Sequence, residues 1–424
     1  VAPFTKGGAY IVGTKYKTGD YRPYIYKTEN YGKSWKLIVD GIGEEAFTRA
    51  LKADPKRKGL LYAGTERGMF ISFNDGKKWQ QFQQNLPIVP ITDLTIKNNN
   101  LIAATQGRSL WIIDDLTPIH QLNKALMQQE VVLFKPQDAY RMGGGNGRTS
   151  RTAGTNHPGG AAFNFFIKKI GEKDTIALRV FDAKNQLVKT FSNQPNKDKK
   201  ESLLTVEEGN NIFYWNMMYE GAEKVKGMIL WWASLNGPMA LPGEYTVELS
   251  VNDKTQKQSF SLLRNPVSEA SEEDMKAQFE FINDINKKVT EIHTALKNVK
   301  KVSTQIAALK KSIADKKKHK ELIDFADTLV KEMTAIEVVL YQTKSKSGQD
   351  PLNYPIRLNN KLAHINSLTR VGNYKPTQQE VDFKNEITKK IDIELAKLYT
   401  LFEIKVQALN KKVKESTIDF IQLD

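Results

Sequence analysis

The sequence predicts a multidomain chain in which β structure is followed by α structure, and three observations carry that reading. An octapeptide recurs: Thr28 to Trp35 reads TENYGKSW and Ser72 to Trp79 reads SFNDGKKW, with Gly32 and Gly76 standing 44 residues apart. Between residues 131 and 266 apolar residues alternate in short runs separated by turn residues. From Ser268 onward the apolar period changes to seven.

In residues 1–125 the repeat extends beyond the octapeptide. LLYAGTERGMFISFNDGKKWQQF (60–82) aligns with NLIAATQGRSLWIIDDLTPIHQL (100–122), each an apolar strand, a Thr (Thr65 or Thr105), a Gly, a second apolar strand and a turn. AYIVGTKYKTGDYRPYIYKTENYGKSWKLI (9–38) follows the same plan with Thr14 and an insertion between its strands. The octapeptide is then a hairpin turn. Thr28 or Ser72 and Asn30 or Asn74 bond nearby backbone groups, Gly32 or Gly76 takes a left-handed conformation, and Trp35 or Trp79 tucks its ring into the sheet. Truncating such a buried Trp costs about 3–5 kcal/mol. Periods of 40–50 residues signal propeller blades, and three units cannot close a ring of four to eight. The remaining blades are expected as partners, from an N-terminal part of the same protein or from a separate chain.

The two octapeptides resemble Asp-box (bacterial neuraminidase, BNR) repeats, with Asn30 and Asn74 where that family usually has aspartate and Lys78 where it usually has Thr or Ser. GRSLWIIDDLTPI (107–119) resembles the end of the propeller in the large sortilin-like, glycosyl-hydrolase-like Asp-box proteins of Bacteroidota. The resemblance continues through NHPGGAAFNFFI, IALRVFDAKNQLVKTF and LPGEYTVELSV. It implies an incomplete β-propeller and a place outside the cytoplasm: periplasm, outer-membrane surface or secreted. Asp boxes occur in sialidases, xyloglucanases, sorting receptors and scaffolds alike, so the resemblance gives architecture before activity.

Residues 131–266 read as an immunoglobulin-like or fibronectin III-like sandwich. Strands are expected in 176–191 around a turn at Ala183 to Asn185, in 211–219, and in 245–251 and 259–263 around a turn at Asn252 to Lys254, with Tyr245 facing inward. GGGNGRTSR (143–151) lacks the Lys-Ser/Thr ending of a phosphate loop and reads as an ordinary loop. Trp231 and Trp232 are a possible binding surface, a platform for stacking sugars. As neighbours on a strand they are expected to point to opposite faces, one into the core and one toward a domain interface.

Residues 268–424 read as a helical bundle. Met275, Ile282, Val289 and Leu296, with Ile285, Ile292, Val299 and Ile306, form one seam of about 48 Å at 1.5 Å per residue. Ser303 interrupts that seam, and the further apolar faces are enough to cover it within the chain. Leu322, Phe325, Leu329, Met333, Ile336 and Leu340 mark a second helix, and Leu358, Leu362, Ile365 and Leu368 a third. TQQE (377–380) is a capping box that starts a fourth through Ile387, Ile391, Leu395, Leu398, Phe402 and Leu409.

Composition narrows the function. The net charge of +15 is diffuse, residues 1–266 holding 36 basic against 25 acidic groups, and no Arg/Lys stripe interleaves with aromatics. Nucleic acid is therefore not expected as a partner. There is no cysteine, and the five histidines show no ligand spacing, so neither a metal nor another cofactor is expected. Glycosidases need two carboxylates facing across the bond. Asp114, Asp115, Glu44 and Glu45 have no identifiable partner for that role, and Asp114 and Asp115 sit at a turn. The expected function is a non-catalytic binding or scaffold portion of an envelope protein, docking protein, peptide or glycan. The alternative is a glycoside hydrolase whose catalytic residues lie in other blades.

Overall fold

The computed structural model describes residues 1–145, 153–195, 201–313 and 315–416. Its first two thirds are β sheets and its last third is helical. Three antiparallel sheets come first. Strands β1 (Ala9–Lys15), β2 (Asp20–Thr28) and β3 (Lys36–Leu37) make one. The second comprises β4 (Thr48–Ala53), β5 (Leu61–Thr65), β6 (Gly68–Ser72) and β7 (Gln80–Gln81). The third comprises β8 (Ile91–Lys97), β9 (Asn100–Thr105) and β10 (Leu110–Ile113).

The sheets stack face to face in chain order. Ile25 and Ile38 of the first sheet and its exit pack with Leu61, Ala63 and Trp79 of the second. On the other side Tyr62, Met69 and Ile71 pack with Ile91, Leu94, Leu101 and Ala103 of the third. Strand β5 is therefore buried at all five positions, whereas β10 alternates between half-buried and open and β1 has no fully buried position. A sheet covered on both faces needs a continuous apolar strand, and one covered on a single face needs only every second residue. On the open face of the first sheet the register aligns Ile11, Tyr26 and Leu37 in one cross-strand row. On the open face of the third it aligns Thr95, Ile102 and Ile112. Ile11, Leu37 and Ile112 are exposed.

A short helix, α1 (Thr117–Gln121), leads out of the third sheet, and Asp115 Oδ1 accepts from the Thr117 amide at its start at 2.8 Å. Two facing sheets follow. One holds β11 (Val131–Leu133), β13 (Ala161–Ile167) and β17 (Gly209–Trp215). The other runs β12 (Ala139–Tyr140), β19 (Lys254–Leu263), β18 (Gly243–Val251), β14 (Ile176–Asp182), β15 (Leu187–Ser192) and β16 (Ser202–Leu203). Their core carries Phe163 against Phe260 at 5.3 Å and Trp215 against Tyr245 at 5.7 Å between ring centres. The strand expected over 211–219 stops at Trp215, because Met217 takes a left-handed φ of 60° and turns the chain away. Of the glycine-rich stretch, Gly143 bridges to Gly159, while Asn146 to Arg151 lie outside the described residues.

The helices are α2 (Glu272–Ser312), α3 (Lys320–Leu340), α4 (Leu358–Thr369), α5 (Gln378–Thr400) and α6 (Gln407–Glu415), the last two joined through a π-helical stretch at Leu401–Val406. The seven-residue seam of α2 is buried and covered within the chain by α3, α4 and α5. The helix outruns the seam at both ends, starting at a capping box between Ser271 and Asp274. Thr377 and Glu380 form the capping box expected for α5. Leu368 corrects the expectation for α4, since it is exposed while Leu362 and Ile365 are buried. Asn359 and Asn366 take up that buried face instead. Among the described residues no helix is long and apolar enough to cross a membrane.

Candidate functional site

The sequence singled out two places, the octapeptide turns and the Trp231-Trp232 pair. In the turns the same bonds form twice. Thr28 Oγ1 accepts from the Gly32 amide at 3.0 Å and Asn30 Oδ1 from the Ser34 amide at 3.0 Å. Ser72 Oγ accepts from the Gly76 amide at 3.0 Å and Asn74 Oδ1 from the Lys78 amide at 2.9 Å. Both hydroxyls also donate to the Asn oxygen at 3.0 Å. A donor-acceptor pattern that asparagine fully satisfies explains why aspartate is not required here. Tyr31 and Asp75, before the glycines, share their left-handed conformation, with φ of 59° and 64°.

The tryptophans differ. Trp79 is 2% exposed and its Nε1 donates to the Ile38 carbonyl of the preceding sheet at 2.8 Å. Trp35, expected to be buried in the same way, is 40% exposed. The segment 38–46 that covers Trp79 has no counterpart over Trp35 among the described residues. Asp75 adds a second tie between the sheets, accepting from Tyr10 Oη and Lys27 Nζ. Burial first, then this hydrogen bond, push the Tyr10 phenol above its ordinary range.

Trp231 and Trp232 are not on a strand. Between β17 and β18 the chain makes a long irregular excursion, closed at its base by the Tyr219 amide on Pro238 and the Ala222 amide on Leu235 at 2.9 and 2.8 Å. Its tip lies on α2 and α4. Asn360 grips Trp231 from both sides, accepting from its amide at 2.7 Å and donating to its carbonyl at 2.9 Å. His364 Nδ1 donates to the Trp232 carbonyl at 2.7 Å, and the Ser234 amide to the Ala363 carbonyl at 3.0 Å. Held this way, Trp232 takes a φ of 49° and is 75% exposed, while Trp231 is half-buried. The two rings lie 5.8 Å apart at 50°, side by side rather than on opposite faces, because a left-handed residue breaks the strand alternation.

The groups that anchor this excursion escaped the sequence reading. His293, fully buried, donates through Nδ1 to the Glu223 carbonyl at 2.6 Å and accepts through Nε2 from Asn359 at 3.3 Å. Asn286 and Asn366 both donate to the Asn236 carbonyl, at 2.8 and 3.1 Å, and Arg370 joins them at 3.1 Å. The signal was present: Asn286 and His293 are seven residues apart, beside the apolar seam, where a polar residue needs a partner from outside the helices.

A second cluster went unread. Asp54, 1% exposed, lies 2.8 Å from His120 Nε2 and accepts from the Lys56 and Arg57 amides at 2.8 and 2.9 Å. Tyr62 Oη stands 3.5 Å away, its phenol pushed up chiefly by burial. Arg57 donates to the Ile119 and Leu122 carbonyls. With its oxygens occupied from within the chain, Asp54 fastens α1 to the second sheet. Asp115 has a like role, since its Oδ2 accepts from Asn164 of β13 at 3.2 Å. Glu45 is paired with Arg67 at 2.9 Å.

No family model and no curated protein matches the chain. Among solved structures it is similar to an ancestral GH74 enzyme, at 21% identity and a TM-score of 0.21 over 26% of this chain and 13% of that one. It is also similar to the extracellular domain of a protein described as a hybrid two-component system of B. thetaiotaomicron, at 10% identity and a TM-score of 0.19 over 58% of this chain and 29% of that one. The chain thus spans less than a third of the length of either protein. At these scores neither likeness bears on function.

Proposed function

We propose that the chain is a non-catalytic binding and scaffold portion of an Asp-box propeller protein that works outside the cytoplasm. On this reading the three stacked sheets are blades, the two facing sheets an immunoglobulin-like or fibronectin III-like spacer, and the helices a docking bundle. The observation that carries it is the pair of turns with matching hydrogen bonds, each joining the last two strands of a sheet within the same stack. The apolar rows on the two outer faces of that stack, Ile11-Tyr26-Leu37 and Ile102-Ile112, support further blades as neighbours, whether from the same protein or a second chain. Two of the four carboxylates considered for acid-base work are engaged otherwise, Asp115 with the Thr117 amide and Asn164 and Glu45 in an ion pair, which favours binding over hydrolysis.

Incubating the protein with sialosides and with xyloglucan oligosaccharides tests the reading. No release of reducing sugar is expected. Turnover that disappears in Asp114→Asn or Glu44→Gln would overturn it. The blade reading has its own check in a hydrophobic dye, whose fluorescence on the chain should fall in an Ile11→Lys, Ile112→Lys double variant. An unchanged signal would mean that those faces are not open docking surfaces.

A further inference from the structure

The excursion that carries Trp232 lies over a helix whose outer face is basic. On α4 and its N-cap, Arg357, Lys361, His364 and Leu368 recur at intervals of four, three and four, which is one face of a helix. Arg357, Lys361 and Leu368 are exposed, and His364 is the residue that holds the Trp232 carbonyl. With Nδ1 committed to that carbonyl, His364 has Nε2 left for another partner. Lys224 and Lys226, on the excursion itself, are exposed too. Among the described residues none of Arg357, Lys361, Lys224 or Lys226 is in an ion pair, although Lys361 lies within electrostatic reach of Glu386 on α5.

An indole 75% exposed is costly to keep in water, and here it is kept there by design of the backbone around it. Trp232 occupies a left-handed conformation that a bulky residue rarely adopts, and its neighbours Trp231 and Ser234 are bonded to α4 on either side. The backbone that carries the ring is thus fixed before any ligand arrives, which lowers the entropy lost on binding. Its face is open rather than set in a pocket. A protein side chain used as an anchor needs a concavity to fill, whereas the flat apolar face of a pyranose ring needs only a flat aromatic surface. The cations on the face of α4 that His364 shares supply what a carboxylate or sulfate requires, Arg357 by a two-pronged hydrogen bond and Lys361 as a point charge.

We propose that Trp232, with Arg357, Lys361 and His364, forms a platform for an acidic glycan, a chain of pyranose units carrying carboxylate or sulfate groups. The sugar ring stacks on the indole and its anionic substituent meets the basic face of α4. This site is on the helical side of the molecule and its test does not depend on the blade reading.

The probes are oligogalacturonate for carboxylated sugars, sulfated dextran oligosaccharide for sulfated ones, neutral dextran, and polyglutamate. Binding is read by tryptophan fluorescence and calorimetry on the full chain, with thermal melts to show that each variant is folded. At least one acidic glycan should bind, Trp232→Ala should weaken it tenfold or more, and Arg357→Ala with Lys361→Ala should weaken it and flatten its salt dependence. Which of the two glycans binds decides between carboxylate and sulfate. Binding of neither would overturn the proposal, as would equal affinity in Trp232→Ala or equal affinity for neutral dextran. Polyglutamate binding that is lost with Trp232→Ala would make this a surface for acidic peptide and would also overturn it. Should Trp232→Ala fail to fold, Trp232→Phe, which keeps a smaller aromatic face, is expected to retain binding at an intermediate level, and unchanged affinity in that variant would count against stacking.

Discussion

The two octapeptide turns share their hydrogen bonds and their backbone, yet Trp79 is sealed in a core and Trp35 stands half in water. The difference lies outside the octapeptide. Trp79 is covered by Ile38, Ile42 and Ala46, the connection leaving the previous sheet, and its indole nitrogen finds a carbonyl there. Trp35 has the same local geometry without that cover. A short motif thus fixes a turn through bonds it contains itself, while the energy its aromatic residue contributes is set by the neighbouring sheet.

The largest test of that comparison is truncation at both positions. Trp79→Ala should cost about 3–5 kcal/mol, and Trp35→Ala about 1 kcal/mol or less, read from chemical denaturation. Equal losses would mean that the turn itself, rather than burial, carries the stability.

Next comes the glycine of each turn. Gly32 and Gly76 have φ of 83° and 78°, so alanine at either is strained by about 1–2 kcal/mol. A methyl at Gly76 would also sit 2.5 Å from Ile38 Cδ1, whereas at Gly32 the nearest atom is Trp35 Cζ2 at 3.6 Å. Gly76→Ala should therefore lose a further ~1–3 kcal/mol from overpacking that Gly32→Ala does not. Similar losses at the two sites would show that the interface between the first two sheets is loose enough to absorb a methyl.

The smallest expected effect is the share of an alkaline pH dependence that Tyr10 contributes at the second turn. Tyr10, on the first sheet, has its phenol raised by burial and by its hydrogen bond to Asp75. A group raised on folding contributes stability that is complete below its unfolded pKa of about 10 and is lost as pH rises through the folded value. Melting temperatures should thus begin to fall above about pH 10, and Tyr10→Phe should flatten part of that fall. A profile that Tyr10→Phe leaves unchanged would remove the tyrosine from the tie between the sheets.

Much of the architecture could be read from the chain because it rests on local rules. The seven-residue period from Met275 to Ile306 gave one long helix, since each turn of a helix presents the same face to its neighbours. Thr377 and Glu380 satisfy each other's amides within four residues, so their capping box needed no knowledge of the rest of the molecule. Turns at Asn185 and Asn252, with φ of 57° and 51°, were likewise written in side chains that tolerate that conformation.

What the sequence alone determined about this protein is therefore the order of β and α structure, the repeated turns and the seam of the first long helix, all interactions between residues close along the chain. The tertiary structure decided the fate of Trp35, Trp232 and Leu368 and the partners of Asp54 and His293. Burial depends on surfaces brought together from distant segments, and a buried polar group is satisfied by whichever backbone arrives beside it. His293 meets Glu223 across 70 positions and His120 meets Asp54 across 66, distances over which no periodicity carries information. The surface around Trp232 belongs to this second kind, because only the docking of the excursion on α4 brings an exposed indole to the helix that carries Lys361 and His364.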